Sequence, residues 1–349
     1  MRITAASARW WILCGAIVTA CCGLRPSAAT ADALQATRVI ECGLDDDGRP
    51  TVVAGVTISP DGRSIAAACD DHLVRVWDAV TGQLRSSLKA HSDWVRTVAF
   101  SPDGQLLASG GNDRTVRLWS AASSEPVFES PELTSAVAAV SFHPNSQQLA
   151  VVGFCNSLAI INTSSGEITQ QLECSSSDVR AVAFSRDGLR MAVAGRDGNI
   201  RLWNVSTGAL ERDIASSQQR IRTLVFSPDG TRLVAAGEGV MIHVVDLSVG
   251  GQDVSLTARP AKVLAALFID DQTLATAGSD NRIAIWNLPT REVKRELVGH
   301  TGSVSSLACD ATGATLVSGS YDTTVRVWNL AAKNELQPSV ARTPGEATR

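Results

Sequence analysis

Residues 95–120 read VRTVAFSPDGQLLASGGNDRTVRLWS, and this stretch decides the fold of the chain. It opens with an apolar segment that runs into Ser101-Pro102-Asp103-Gly104. Proline at the second of these four positions restricts φ, and glycine suits the last position, so a type I turn between two strands is predicted. A segment of small residues, a polar turn and a β-branched segment that ends at Trp119 follow. The stretch therefore predicts three short strands joined by tight turns.

The same unit recurs along the chain at a nearly constant spacing. Each copy adds a fourth predicted strand after a hairpin such as Thr81-Gly82. One spacing is 41 residues instead of 42, because residues 269–272 replace the longer Ser-Pro-Asp-Gly turn. The aligned dipeptides at the ends of the third strands are Trp77-Asp78, Trp119-Ser120, Ile161-Asn162, Trp203-Asn204, Val245-Asp246, Trp286-Asn287 and Trp328-Asn329. Four strands in each of seven repeats predict an all-β, seven-bladed propeller.

This pattern resembles the WD40-repeat family over residues 37–331. The resemblance implies a seven-bladed β-propeller of four-stranded antiparallel blades, in which the repeat frame is offset from the blade. The N-terminal strand is then expected to complete the last blade. Residues 37–42 are the candidate, and they should pair beside residues 324–328. Such pairing would close the ring and remove open sheet edges.

The N-terminus predicts an export signal. Arg2 and Arg9 belong to a short basic region, and residues 10–20 form an uncharged apolar run. At about 1.5 Å per residue this run is too short to span a bilayer as a helix, but it suits the hydrophobic part of a signal peptide. We therefore assign residues 1–20 to a signal peptide and expect the protein in the periplasm or cell envelope, or secreted.

The processing of this signal can be read in several ways. Val18-Thr19-Ala20-Cys21 resembles the lipobox of bacterial lipoproteins, which implies lipidation of Cys21 and a membrane anchor. The small-x-small sites at residues 29–31 and 31–33 instead suit ordinary cleavage and a soluble exported protein. An uncleaved anchor or a different start codon is a third reading. Residues 21–36 are then a tether before the propeller, and residues 332–349 form a disordered polar tail.

The composition argues against several function classes. The net charge is −4 and no run of like charges occurs, whereas nucleic-acid binding requires clustered Lys and Arg. The five histidines are scattered and Cys-x-x-Cys is absent, so no metal site is predicted. No glycine loop precedes a Lys-Ser/Thr pair. We therefore predict no cofactor and no nucleic-acid partner, and contact with a membrane only through an N-terminal lipid.

Two repeats carry the full tetrad of His, Ser, Asp and Trp that the WD40 family uses. The spacings between its members are 18, 4 and 6 residues in both copies. Ser, His and Asp could be read as a hydrolase triad. The resemblance instead implies a buried hydrogen-bond chain from a loop to the Trp indole, and two blade-related copies in one domain favour this structural role. The tetrads are His91, Ser109, Asp113 and Trp119, and His300, Ser318, Asp322 and Trp328.

The third and fifth repeats have lost the tetrad. Cys155 and Gly239 stand at the Asp position, and Ile161 and Val245 replace Trp. Because the buried hydrogen-bond chain is missing there, these two blades are expected to be the looser ones.

A disulfide is predicted in the third repeat. If its outer hairpin is centred between Ser164 and Ser165, Cys155 and Cys174 face each other across the open end. In an oxidising compartment a Cys155–Cys174 bond would then stabilise the blade that lost its tetrad. The alternative is two free thiols in a turn.

The resemblance also implies where partners bind, which is the face that carries the loops into the innermost strands and the turns before the third strands. The loop positions are Val52, Trp94, Ala136, Asp178, Arg220, Lys262 and Ser303, and the turn positions are Asp70, Asn112, Phe154, Arg196, Glu238, Ser279 and Tyr321. Trp94, Phe154 and Tyr321 are candidate interface anchors, since exposed aromatic residues are typical of interfaces. The basic residues that suggest an acidic or extended peptide are Arg180, Arg196, Arg220, Arg222 and Lys262. Solvated rim charges are the alternative reading of these cations.

These features predict a non-catalytic protein-interaction scaffold at the cell envelope. A monomeric propeller would bind a partner protein or peptide across its loop-bearing face. The alternative is a propeller enzyme or small-ligand-binding protein that uses the central channel, which would need a convergent polar cluster there; only Arg180 and Arg222 suggest one. A structural role through self-association is a third reading. The fold alone does not decide among them, since propellers host unrelated activities.

Overall fold

The computed structural model describes residues 32–331, apart from residues 90, 175, 177, 217, 218 and 259–261. The signal peptide predicted for residues 1–20, the lipidation site at Cys21 and the tail predicted for residues 332–349 lie outside the described residues. All regular structure in the described part of the chain is β. No helix there has the length and apolar character needed to cross a bilayer.

The strands form seven sheets, which we number as blades along the chain. Two N-terminal strands, β1 (Asp32–Leu34) and β2 (Arg38–Glu41), precede them. Blade 1 contains β3 (Val53–Ile58), β4 (Ser64–Cys69), β5 (Leu73–Asp78) and β6 (Leu84–Lys89), and blade 2 contains β7 (Val95–Phe100), β8 (Leu106–Gly111), β9 (Val116–Ser120) and β10 (Pro126–Glu129). Blade 3 contains β11 (Val137–Phe142), β12 (Gln148–Gly153), β13 (Ser157–Asn162) and β14 (Ile168–Glu173), and blade 4 contains β15 (Val179–Phe184), β16 (Arg190–Gly195), β17 (Asn199–Asn204) and β18 (Leu210–Ala215).

The remaining blades follow the same order. Blade 5 contains β19 (Ile221–Phe226), β20 (Arg232–Gly237), β21 (Met241–Asp246) and β22 (Val254–Thr257), and blade 6 contains β23 (Val263–Asp270), β24 (Thr273–Gly278), β25 (Ile283–Asn287) and β26 (Glu292–Leu297). Blade 7 contains β27 (Val304–Cys309), β28 (Thr315–Ser320) and β29 (Thr324–Asn329), with β2 as its outermost strand. The first strand of each blade contacts the first strand of the next, and β27 contacts β3, which closes the ring. The predicted all-β, seven-bladed propeller is confirmed.

The turn after the first strand shows why the repeat folds in this way. In blade 2 the N–H of Gly104 donates to the carbonyl oxygen of Ser101 at 2.9 Å, which is the closing bond of a β-turn. Gly104 has φ of +73°, a left-handed conformation that glycine adopts without steric cost. The hydroxyl of Ser101 donates to the carboxylate of Asp103 at 2.6 Å. Local chemistry therefore reverses the chain and brings β7 against β8.

The N-terminus closes the ring as predicted. Strand β2 pairs antiparallel with β29, with Arg38 opposite Val327 and Glu41 opposite Thr324. The N–H of Cys42 extends this ladder by donating to the carbonyl oxygen of Thr323 at 3.1 Å. Blade 7 is thus assembled from the two ends of the propeller, and its outermost edge is supplied by the N-terminal segment.

An additional strand lies in the segment that was assigned to a tether. Strand β1 pairs in parallel with β26, with Asp32 opposite Arg295 and Leu34 opposite Leu297. The side chain of Leu34 is 7% exposed and belongs to the core between blades 6 and 7. Because β1 joins blade 6 and β2 joins blade 7, the N-terminal segment connects two neighbouring blades.

The core consists of seven clusters of buried residues in the described chain, one at each interface between adjacent blades. At the interface of blades 3 and 4, for example, Val152 and Leu158 pack with Val182 and Met191. Burial of one such side chain stabilises the fold by about 1.5–3 kcal/mol relative to leaving it exposed. The alternation of apolar residues along the strands therefore attaches each blade to both of its neighbours.

The predicted Cys155–Cys174 disulfide is wrong, since both cysteines are free thiols. A β-bulge between Ile160 and Ile161 shifts the register of the outer hairpin by one residue, so that the backbone of Cys174 bonds to Asn156 instead of facing Cys155. Successive side chains of a strand point to opposite faces. Cys174 accordingly packs in the core between blades 3 and 4, whereas the Cys155 thiol contacts Ser157 within its own blade.

Candidate functional site

The loops into the innermost strands and the turns before the third strands lie together at one face of the ring. In every blade the N–H of the turn position donates to the carbonyl oxygen of the loop position, at N···O distances of 2.8–3.2 Å. These bonds join Asp70 to Val52, Asn112 to Trp94, Phe154 to Ala136, Arg196 to Asp178, Glu238 to Arg220, Ser279 to Lys262 and Tyr321 to Ser303. We call this ring of seven loop–turn pairs the loop face.

Glycine at the end of the second strand allows this close contact. A Cβ atom on Gly195 would lie 2.0 Å from the carbonyl oxygen of Asp178, and one on Gly237 would lie 2.1 Å from that of Arg220. Real Cβ atoms do not approach an oxygen so closely, so any other residue would displace the loop. The two glycines therefore fix the loops that carry the charged residues of blades 4 and 5.

Two of the three predicted aromatic anchors are exposed. Trp94 is 51% exposed and Tyr321 is 52% exposed, and no other aromatic side chain among the described residues is exposed. Phe154 differs from the expectation, because its ring is half-buried against arginine side chains. The exposed pair stands on blades 2 and 7, the two neighbours of blade 1.

A β-bulge at the start of the innermost strands adds side chains to this face. In β7 the bulge lies between Val95 and Thr97, which makes Arg96 the extra, unpaired residue. Arg180 and Arg222 are the corresponding bulge residues of β15 and β19. Bulges commonly redirect a side chain next to a functional site. The sequence analysis named Arg180 and Arg222 but missed Arg96, although all three follow the loop position by two residues.

The arginines of blades 4 and 5 form a network with two carboxylates. Arg180 binds Asp178 through two nitrogens, and Asp178 also binds Arg220 at 3.1 Å. Glu238 accepts from Arg220 at 3.1 Å and from Arg222 at 2.7 Å. The predicted basic character of this region is therefore partly neutralised. Spacing along the sequence did not indicate these pairs, since three of the four join different blades or different elements of one blade.

Two arginines converge on one aromatic ring. The guanidinium carbon of Arg180 lies 3.8 Å from the centre of the Phe154 ring, and that of Arg96 lies 5.0 Å from it. Both distances fall within the range of cation–π attraction. The Nε atom of Arg96 also donates to the side-chain oxygen of Asn112. Residues of blades 2, 3 and 4 thus meet around Phe154.

The pKa values of charged groups on the loop face are shifted by their burial and by the neighbouring arginines. Burial lowers the pKa of the Arg96 guanidinium below its ordinary value, and the positive charges of Arg180 and Arg222 lower it further. Hydrogen bonds from Arg222 and then Arg220 lower the pKa of Glu238. Glu238 is therefore held as a carboxylate, while Arg96 lies in a region with an excess of positive charge.

The two full tetrads form hydrogen-bond chains inside blades 2 and 7. The indole N–H of Trp119 donates to the hydroxyl of Ser109 at 3.0 Å, and this hydroxyl lies 2.8 Å from Nε2 of His91. Nδ1 of His91 lies 2.9 Å from the carboxylate of Asp113. In blade 7 the corresponding distances are 2.8 Å from Trp328 to Ser318, 2.7 Å from Ser318 to His300 and 2.8 Å from His300 to Asp322.

The protonation states of these groups follow from burial. Burial lowers the pKa of His91 and of His300, so both rings are neutral near pH 7 and Nδ1–H donates to the carboxylate. Burial would raise the pKa of Asp322, but hydrogen bonds from Thr324, Thr301 and His300 outweigh it and hold the pKa at about 2. The chain therefore runs from indole to hydroxyl to imidazole to carboxylate.

Blades 1 and 4 use a different buried pair in place of the histidine. Arg75 is bound to Asp71 and Arg201 to Asp197, and both arginines are buried. In blade 4 the indole nitrogen of Trp203 has no hydrogen-bond partner among the described residues. The spacing of the full tetrads gave no indication of the arginine that follows each of these aspartates by four residues.

Blades 3 and 5, which lack the tetrad, contain clefts where its side chains lie in blades 2 and 7. In blade 3 a cleft of about 210 Å³ is lined by Leu133, Val151 and Cys155. In blade 5 a cleft of about 240 Å³ is lined by Gly239 and His243. The corresponding space in blade 6, where Trp286 donates to Thr276, is about 30 Å³. Loss of the large tetrad side chains thus leaves room between the loop and the blade. Among the described residues no cluster of three His, Cys, Asp or Glu could hold a metal ion.

Two models of known protein families match parts of this chain. Residues 52–224 match the family model described as IFT122 first beta-propeller, and residues 291–329 match that of the WD domain, G-beta repeat. The repeats of this chain are therefore similar to those of WD-repeat proteins, and its fold is a seven-bladed β-propeller. The two matches cover repeats at both ends of the propeller, in agreement with the resemblance drawn from its aligned dipeptides.

Curated relatives match only short segments of the propeller. Polycomb protein EED from Chaetomium thermophilum is 36% identical over 74 residues, which are 21% of this chain and 13% of that protein. Periodic tryptophan protein 2 homolog from Schizosaccharomyces pombe is 38% identical over 63 residues, 18% of this chain and 7% of that protein. Striatin from Homo sapiens is 38% identical over 66 residues, 19% of this chain and 8% of that protein. The chain thus spans at most 13% of the length of these relatives.

Proposed function

We propose that this propeller is a non-catalytic interaction scaffold that binds a partner protein or peptide across the loop face. The observation that carries the proposal is the position of the two exposed aromatic residues of the described chain. Trp94 and Tyr321 both belong to loop–turn pairs of this face. Exposed Trp and Tyr side chains with large apolar area are typical anchors of protein interfaces.

Among the described residues, the opposite face has no exposed aromatic side chain. Its turns satisfy their own polar groups, as in the Ser101–Asp103 contact of blade 2, and the same Ser–Asp contact recurs at Ser59–Asp61, Ser185–Asp187 and Ser227–Asp229. The exposed apolar side chains of its turns, Leu189, Val80 and Val249, are aliphatic and stand in three different blades. An isolated exposed aliphatic residue needs no functional explanation. The aromatic anchors therefore favour the loop face.

The charges of the loop face favour an acidic or extended segment of the partner. Arg196 and Lys262 are exposed and belong to loop–turn pairs of blades 4 and 6. Positive groups near an interface attract acidic partners and fix their orientation. A segment that crosses from the aromatic anchors toward blades 4–6 would meet both kinds of contact.

The tetrads support a structural role in this scaffold. The hydroxyl of Ser109 is fully buried and already contacts both the Trp119 indole and the His91 ring. A nucleophilic serine must reach the substrate carbonyl, which a buried hydroxyl with two internal partners does not do. Hydrolysis by the His91–Ser109–Asp113 set is therefore not part of the proposal.

We propose further that the scaffold acts at the cell envelope. This part rests on the apolar run of residues 10–20 and on the lipobox-like Val18-Thr19-Ala20-Cys21. The intact mass of the mature protein from its native host tests it. A lipid-modified N-terminal Cys21 supports anchoring, cleavage near residues 29–33 supports a soluble exported form, and an unprocessed chain contradicts both.

A crosslinking experiment tests the binding face. A photoreactive benzoylphenylalanine is introduced in place of Tyr321, and in a second variant in place of Leu189, which is 60% exposed on the opposite face. After irradiation in the native cell, mass spectrometry identifies the crosslinked proteins. We expect a specific adduct at position 321 and none at position 189. Equal adducts at both positions, or an adduct only at 189, contradict the proposal. Adducts with a second copy of the chain would instead indicate self-association.

A further inference from the structure

The cluster around Phe154 contains more positive charge than the propeller neutralises. The region holds four guanidinium groups and three carboxylates: Asp178 and Glu238 bind three of the arginines, and Asp93 lies near enough to attract the fourth, Arg96. The two binding carboxylates form ion pairs with Arg180, Arg220 and Arg222. Arg96 instead donates a hydrogen bond to the neutral side chain of Asn112. The cluster therefore retains a net positive charge at the loop face of a chain whose overall charge is negative.

Several donors of this cluster are not used by the propeller. Arg96 donates to Asn112 through Nε, and no described residue accepts a hydrogen bond from its two Nη atoms. Arg180 binds Asp178 through Nε and Nη2, which leaves its Nη1 without an acceptor in the described chain. A guanidinium group carries five N–H donors in a planar fork that suits carboxylates. Donors toward an anion are thus present on both arginines.

The ring of Phe154 holds these two arginines near each other. Their guanidinium carbons lie 3.8 and 5.0 Å from the centre of the same ring, and both side chains start from equivalent β-bulge positions. The positive charge of Arg180 also reduces the stability of the charged form of Arg96. Two like charges that are kept close by packing are stabilised when an anion binds between or beside them.

We propose that Arg96 and Arg180, held against Phe154, form an anion subsite that receives two acidic side chains of an extended partner segment. This inference rests on the proposed function and names the chemistry that the loop face recognises. In an extended chain, side chains two residues apart point the same way and are separated by roughly 6.6–7 Å, a spacing that suits one carboxylate for each guanidinium. Trp94 lies two residues before Arg96, so the same segment reaches an aromatic anchor.

A peptide-binding assay tests the subsite. The probe is a fluorescein-labelled peptide in which Glu alternates with Gly, and the control probe has Gln in place of Glu. Fluorescence anisotropy at low ionic strength measures the Kd of each. We expect the Glu peptide to bind about tenfold or more tightly than the Gln peptide, and the difference to shrink at 0.5 M salt. Equal affinities for the two peptides overturn the proposal.

Matched variants assign the binding to these arginines. Arg96→Gln keeps an amide donor for Asn112, and Arg63→Gln removes an equal charge from an exposed turn on the opposite face. We expect the Kd of the Glu peptide to rise about tenfold in Arg96→Gln and in Arg180→Gln, and less than twofold in Arg63→Gln. Circular dichroism and the thermal midpoint check that each variant is folded, and Arg96→Lys, which keeps the charge, should lose less than Arg96→Gln. Equal losses in Arg63→Gln and Arg96→Gln overturn the proposal.

A third probe separates carboxylates from phosphate. It carries one phosphoserine in place of the two Glu residues. Tighter binding of this probe, with the same loss in Arg96→Gln, overturns the assignment to acidic side chains. If no probe binds while position 321 still crosslinks a partner, the subsite is wrong and the proposed function stands. If the probes behave as expected but position 321 crosslinks nothing, the site stands and the proposed scaffold role does not.

Discussion

Replacement of Ser318 by alanine should destabilise the propeller markedly, although it removes a single hydroxyl group. Ser318 is fully buried and joins the Trp328 indole to the His300 ring, at 2.8 and 2.7 Å. Without the hydroxyl, the indole N–H loses its acceptor and Nε2 of His300 loses its donor. Because both groups are buried and water cannot replace the hydroxyl, each costs about 1–3 kcal/mol. We expect Ser318→Ala to lower the free energy of unfolding by about 2–4 kcal/mol.

A natural comparison within the chain supplies the control. The indole nitrogen of Trp203 in blade 4 has no partner in the described chain, so Trp203→Phe removes no hydrogen bond. It should cost less than Ser318→Ala, because it leaves no buried polar group without its partner. Urea unfolding followed by far-ultraviolet circular dichroism measures both variants against the parent. A loss below about 0.5 kcal/mol in Ser318→Ala, or an equal loss in the two variants, would refute the assignment of the tetrad as a stabilising chain.

Three further predictions concern closure, the loop face and pH. Deletion of residues 32–36 should lower the midpoint of urea unfolding, because it removes β1 and the buried Leu34, whereas an unchanged midpoint would show that β1 adds no stability. Gly195→Ala should weaken binding of the Glu peptide and Gly239→Ala should not, since only the first Cβ would collide with a loop carbonyl; equal affinities in the peptide assay would contradict this. Unfolding free energy should fall as pH drops below about 6.5, because burial lowers the pKa of His91 and His300 and the unfolded chain then binds more protons. Urea titrations at pH 7.5 and 5.5 that gave the same free energy would exclude this contribution.

The fold was accessible from the sequence because its determinants are local and repeated. The Ser101–Gly104 turn, the small-residue strand after it and the terminal Trp119 recur in register, and each is explained by chemistry within a few residues. The closing role of residues 37–42 followed from the offset between repeat and blade. Pairing of β2 with β29 agrees with that expectation.

Register beyond a bulge could not be read in the same way. The hairpin symmetry that placed Cys155 opposite Cys174 holds next to the turn, where Ile161 faces Ile168. It fails beyond the bulge, where Ser157 faces Glu173. The same shift occurs in blade 1 after Val76 and in blade 4 after Leu202, so it belongs to the repeat. No residue type in the sequence marks this extra position, and one shifted residue reverses the face of every side chain that follows.

The candidate site was predictable only in part. Alignment of the repeats placed Trp94, Tyr321 and the basic residues on one face, because each repeat contributes the same loop and turn. It did not show that Phe154 would be covered by Arg96 and Arg180, since those contacts join three blades through long side chains. The distances between side chains of different blades depend on how the ring closes. The residue spacing within one repeat carries no information about that closure. Short β1 escaped notice because three residues give no periodic signal.

The affinity of the propeller for the partner that crosslinks at position 321 provides the most direct test of the central claim. The double variant Trp94→Ala/Tyr321→Ala is compared with Val80→Ser/Leu189→Ser, which alters two exposed apolar residues outside the loop face. Titration calorimetry should show a Kd raised about tenfold or more by the first pair and less than about twofold by the second. Unchanged affinity in Trp94→Ala/Tyr321→Ala, with loss in the other double variant, would contradict the account that partners are recognised by the loop face.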